Sequence, residues 1–190
     1  MKTKEVLGLL INPYTRITGF RALGLGMVFL FSMGMVGAYT GVAFDGVLDM
    51  HLSDDLSMAN SFYYLFIDIF CVVFLMWIAS QFVSTNFRLV NLIGTITLAK
   101  APFLILALAG YFVKSTNLSE LQRNPGVIFQ SGPLLFISLL SLPVILWSIV
   151  LMYYALKNLC NAKGNKLIIA LVLALVSAEI VSKILIHEFV

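Results

Sequence analysis

Residues 133–156 read PLLFISLLSLPVILWSIVLMYYAL, a run with no Asp, Glu, Lys or Arg in it. At ~1.5 Å of helical rise per residue it is long enough to cross a hydrocarbon core of ~30 Å. A barrel strand would instead alternate apolar and polar positions over ~10 residues, and this run is continuous. Four further stretches are as long and predominantly apolar, with one to three charged residues each, at 19–44, 61–83, 89–113 and 166–187. The chain of 190 residues is 61% hydrophobic and 11% charged, with a mean hydropathy of +1.00, so it has too few charges to cover a soluble domain. The expected fold class is therefore all-α, a polytopic membrane helix bundle of five transmembrane helices. The connections 45–60 and 114–132 are too short to fold alone, which makes residues 1–190 a single membrane domain. Asn124-Pro125-Gly126 marks a turn in the second of them.

Lysine and arginine set the orientation of such a bundle, because positively charged loops resist translocation. Lys2, Lys4, Arg16 and Arg21 precede or open the first span, Arg88 follows the second, and Lys157, Lys163 and Lys166 surround the end of the fourth. These positions form a cytoplasmic basic face, with the N-terminus in the cytoplasm and the C-terminus outside. The connection 45–60 has no basic residue but offers Asp45, Asp49, His51, Asp54 and Asp55, and 114–132 has Lys114 and Arg123 beside Glu120. The acidic loop reads as a solvated exterior connection. Its spacing matches no EF-hand or paired-histidine site, and no metal or other cofactor is expected.

Residues 1–18 form an interfacial segment, in which Val6, Leu7, Leu9, Leu10 and Ile11 follow Lys2, Lys4 and Glu5. Pro13 disfavours helix at Asn12 and turns the chain before the first crossing. The first span is too long for a signal-peptide core of about 7–15 residues and is read as retained. Cys71 lies in a span and Cys160 in the basic connection after the fourth, so neither is placed for a disulfide. Gly34 with Ala38, and Gly37 with Gly41, are four apart on the first span and allow close helix packing, within the bundle or between two copies.

Four ionisable residues lie inside the apolar runs: Asp68, Lys100, Glu179 and Lys183. Counted inward from the outer ends of their spans they sit about 10, 18, 13 and 7 Å deep, in the same half of the membrane. Glu179 and Lys183 share a helix face at i, i+4, which leaves Asp68 as the partner for Lys100. A balanced set of this kind serves either as a structural ion-pair network or as a proton or ion pathway. Pro102 and Pro143 are expected to kink their helices, freeing the carbonyls of Leu98 and Leu139 near Thr97, Ser138 and Ser141. The chain has no P-loop, nucleophile elbow or dinucleotide fingerprint, so it reads as non-enzymatic.

Leu9-Leu10-Ile11-Asn12-Pro13 before the first span, Ala99-Lys100-Ala101-Pro102 in the third, and Trp147, Leu151 and Ala155-Leu156-Lys157 in the fourth form an ordered set. With five spans and an inside N-terminus, the chain resembles the bacterial branch of the Yip family. The resemblance implies a five-span integral protein of the bacterial cytoplasmic membrane. Eukaryotic Yip proteins bind Rab-type GTPases in vesicle trafficking and membrane shaping. Their Asp-Leu-Tyr-Gly-Pro motif is absent here, so that activity is not carried over. The function expected is membrane organisation through lipid or protein contacts; the alternative is a small transporter or ion-conducting protein using Asp68, Lys100 and Glu179. Expected partners are membrane lipids, a second copy or a membrane-complex subunit, and no nucleic acid.

Overall fold

The computed structural model describes residues 8–84, 87–114 and 126–189. Six longer helices run through it: α1 (Gly19–Thr40), α2 (Met58–Val83), α3 (Leu89–Ala99), α4 (Phe103–Ala109), α5 (Gly132–Cys160) and α6 (Asn165–Phe189). With α3, α4 and the short 3₁₀ turn Gly110–Phe112 counted as one crossing, the described residues contain five helices long and apolar enough to span a membrane. The chain is an all-α integral membrane protein. Lys2, Lys4, Val6, Leu7, Glu120, Arg123 and the Asn124-Pro125 turn lie outside the described residues.

Helix ends follow local chemistry. Gly41 ends α1 in the left-handed region at φ 74°, its N–H donating to Gly37 O. Ser57 caps α2, its hydroxyl oxygen accepting from Asn60 N at 3.0 Å. α5 has a proline in its first turn and stops at Asn161, whose φ of 46° ends the ladder. α1 packs along α3 and α4, α2 packs along α6, and α5 closes over α3 and α4. The main core joins Val72 and Met76 of α2, Leu92 and Ile96 of α3, Met152 and Leu156 of α5, and Leu171 and Leu175 of α6.

Glycines set the closest approaches, and they do so within the chain. A Cβ on Gly94 of α3 would lie 2.6 Å from Gly19 O and 2.8 Å from Leu23 N, and one on Gly26 of α1 would lie 2.8 Å from Leu98 N. Gly34 meets the Phe62 ring of α2, while Gly37 meets Val42 O and Gly41 meets Ser53 O. Ala38 on the same helix is half-buried and lines a cavity of about 240 Å³ with Lys114 and Asp54. Helices in lipid associate through such backbone proximity, since lipid tails are as apolar as leucine.

Three expectations need correction. The first span ends at Thr40, so residues 41–44 belong to the following connection. That connection is not a solvated loop throughout: Val42, Ala43, Phe44 and Val47 are fully buried, while His51, Asp54, Asp55 and Ser57 stay exposed. Cys160 closes α5 and is buried, so it does not sit in the basic connection. A two-residue hairpin holds the connection together, β1 (Val42–Ala43) pairing antiparallel with β2 (His51–Leu52) in the register Val42↔Leu52. Residues 42–50 are thus a re-entrant plug between the helix ends, a place where irregular backbone is tolerated because protein surrounds it.

Candidate functional site

A buried plug brings its peptide groups with it, and each needs a partner away from water. The peptide between Val47 and Leu48 has both of its groups bonded to charged side chains. Its carbonyl accepts from Lys100 Nζ at 2.5 Å, and its N–H donates to Glu179 Oε2 at 2.8 Å. One peptide dipole is therefore gripped at both ends by opposite charges, the ammonium on its negative end and the carboxylate on its positive end.

Lys100 reaches this position because α3 ends at Ala99 and α4 restarts at Phe103. Pro102 has no N–H to continue the ladder, and the chain crosses the gap with tight turns, Ala101 N to Leu98 O at 3.0 Å and Phe103 N to Lys100 O at 3.0 Å. The Leu98 carbonyl expected to be free is therefore occupied. The open acceptor is one residue on: Ala99 O takes the Ser148 hydroxyl of α5 at 2.8 Å. Pro143 behaves differently, because α5 runs on through it as one helix. Ser138 and Ser141 bond within α5, to Leu134 O and Ser138 O.

The four embedded charges fall into two linked pairs. Lys100 Nζ stands 3.6 Å from Asp68 Oδ2 and 4.7 Å from the centre of the Phe103 ring. Lys100 is 1% exposed and Asp68 0%, and among the described residues neither Asp68 oxygen accepts a hydrogen bond. Both oxygens of the carboxylate are closed off from the surface. Thr97, expected nearby, is also buried with its hydroxyl unpaired among the described residues. Glu179 Oε1 lies 3.5 Å from Lys183 Nζ, as their spacing along α6 requires, and Lys183 also binds Asp49 Oδ2 of the plug. The Val47–Leu48 peptide joins the two pairs.

Sequence reasoning missed the plug side of this arrangement. A signal for it exists in Val42-Ala43-Phe44 and Val47-Leu48, which continue the apolar character past Gly41 where a solvated loop would be polar.

The plug carries a second clasp at its rim, where His51 Nδ1 lies 2.9 Å from Asp45 Oδ2. The hydrogen bond to Asp45 pushes the His51 pKa up against the opposing effect of burial. Burial alone would raise Asp45, but the hydrogen bond and charge of His51 outweigh it and leave the carboxyl below its ordinary value. A raised histidine contributes stability below its ordinary pKa of ~6.5 and loses it as pH rises past the folded value. A lowered carboxyl contributes above ~3.9 and loses it as pH falls. The clasp is thus strongest between about pH 4 and 6.5. The melting temperature in detergent is expected to rise slightly from pH 8 to pH 6, and His51→Gln to flatten that slope. The gain is small because both side chains are partly exposed.

At the opposite end, the described part of the N-terminal segment is stitched to α3 and α5. The Tyr14 hydroxyl donates to Thr95 O at 3.0 Å, Trp147 Nε1 to Leu10 O at 2.8 Å, and Asn158 Nδ2 to Asn12 Oδ1 at 2.8 Å. Residues 8–11 are helical and Asn12 ends that turn before the 3₁₀ turn Pro13–Thr15. Burial of Tyr14 holds its phenol well above the usual range. Arg16, Arg21, Arg88, Lys163 and Lys166 are exposed at this end, and half-buried Lys157 lies over the rings of Tyr153 and Tyr154. Every acidic residue among those described belongs to the plug end or to the half of its helix nearer that end.

Compared with known protein families, curated proteins and solved structures, the chain matches none.

Proposed function

We propose that this chain is a non-enzymatic membrane protein of the Yip type that organises membrane through its basic end, with that end and the N-terminus in the cytoplasm of a bacterial cell. The observation that carries this reading is the separation of charge: six cations stand at one end, and none forms an ion pair among the described residues. A cation near an anionic leaflet gains about 1 kcal/mol, so an unopposed set of them makes a lipid-binding face. The segments on which the Yip resemblance rests also touch one another, Asn12 with Asn158, Leu10 with Trp147, and Ala99 with Ser148. A shared packing role for them supports the family reading. The dryness of Asp68 and Lys100 favours this function over conduction, since a pathway would need water at the carboxylate.

Protein reconstituted in neutral phosphatidylcholine vesicles is expected to bind vesicles containing phosphatidylglycerol. The double reversal Lys163→Glu, Lys166→Glu should weaken that binding by about tenfold or more. Equal binding by the variant, measured by co-flotation, removes the basis for the proposal.

A further inference from the structure

The basic end contains a cavity of about 270 Å³ among the starts of α1 and α3 and the end of α5. Its polar lining is Tyr14, Thr18, Arg88, Asn91, Thr95 and Asn158. Two of these hydroxyls are already committed, Tyr14 to Thr95 O and Thr95 to Asn91 O at 2.7 Å. Asn158 uses one amide hydrogen on Asn12 and keeps the other. Thr18 does not cap α1, and neither its hydroxyl, the Arg88 guanidinium nor the Asn91 amide has a side-chain partner among the described residues. The unspent donors come from three separate elements and face one space, with no carboxylate in its lining.

A cavity lined by spare donors and one unpaired guanidinium, and closed to acids, selects an anion. Phosphate matches best, because arginine presents its planar fork to two phosphate oxygens at once. α1 and α3 both begin here without a side-chain cap, and their first-turn N–H groups add to the same preference. Phe87, Ala155 and Leu159 supply an apolar wall beside the polar one, as an amphipathic ligand requires. We infer that this cavity is a binding site for one phosphate group, that of an anionic phospholipid. The inference rests on the lipid-contacting reading of the basic end and assigns that contact a specific seat.

The test is native mass spectrometry of the full chain released from micelles holding equal phosphatidylglycerol and phosphatidylcholine. The wild type is expected to retain phosphatidylglycerol with about tenfold preference, and Arg88→Gln to lose most of it. Thr18→Val provides a second variant expected to lower the preference. Both residues are exposed, and circular dichroism checks that both variants are folded. Lys114→Gln, an exposed cation at the plug end and outside this cavity, is the control and should keep the preference. Retention unchanged in Arg88→Gln overturns the site, as does an equal loss in Lys114→Gln. Displacement of the lipid by millimolar inorganic phosphate would identify free phosphate as the occupant and overturn the lipid assignment. Vesicle binding that depends on Lys163 and Lys166, with no preference in this assay, would overturn the cavity while leaving the basic-face reading intact.

Discussion

Lys100→Met is expected to lower the melting temperature by about 8 °C or more, on a loss of roughly 3–5 kcal/mol. The substitution keeps an unbranched apolar side chain of similar length, so the loss isolates the ammonium, which stands over the Phe103 ring. Three consequences follow from removing it. The Asp68 carboxylate, with no other ion pair among the described residues, is left as an uncompensated charge at 0% exposure. The Val47 carbonyl loses its donor in a dry setting. Glu179 then holds the plug peptide by one end only. The double variant Asp68→Asn, Lys100→Met should recover a substantial part of the loss, because a neutral amide is far cheaper to bury than a lone carboxylate. Thermal unfolding in detergent, followed by circular dichroism, gives both numbers. A single variant that melts within about 2 °C of the wild type would mean that the clamp adds little.

Gly94→Val should separate α1 from α3 and destabilise the protein by about 1–3 kcal/mol or more. The added Cβ alone would sit 2.6 Å from Gly19 O and 2.8 Å from Leu23 N, both of them main-chain atoms that cannot rotate aside. The helices must therefore move apart, and the reciprocal contact of Gly26 with Leu98 N opens with them. Gly94→Ala should show a smaller loss in the same direction, since it lacks the two methyl groups. Gly24→Ala serves as the control, as nothing lies near a Cβ built there. Equal melting temperatures for Gly94→Val and Gly24→Ala would refute the close-packed crossing.

The two kinds of charge pair show where sequence reasoning reaches its limit. Glu179 and Lys183 meet at 3.5 Å because one helix fixes the geometry of positions four apart, whatever surrounds it. Asp68 and Lys100 lie on different helices, and their pairing depends on how α2 and α3 are set against each other. Elimination among four charges could suggest that pair but could not supply its distance or its dryness. The roles of Lys100 and Glu179 at the plug were out of reach, because their partner is a main-chain peptide and every residue has one. Acidic residues in the connection 45–60 drew attention to solvent, whereas Val42, Phe44 and Val47 decided where the segment went. The donors around Arg88 were equally hidden, since Tyr14, Thr18, Asn91 and Asn158 come from three distant parts of the chain.

Sequence by itself determined the five crossings, their approximate limits and the segregation of cations to one end, because length, hydropathy and charge act along the chain and need no partner. Only the tertiary structure decided that the connection after α1 folds back as a plug, that one buried peptide is held between Lys100 and Glu179, and that a donor-lined cavity opens among the basic residues. Hydrogen bonds and ion pairs of that kind are short-ranged and directional, so they exist only once separate elements have been packed to within a few ångströms of one another.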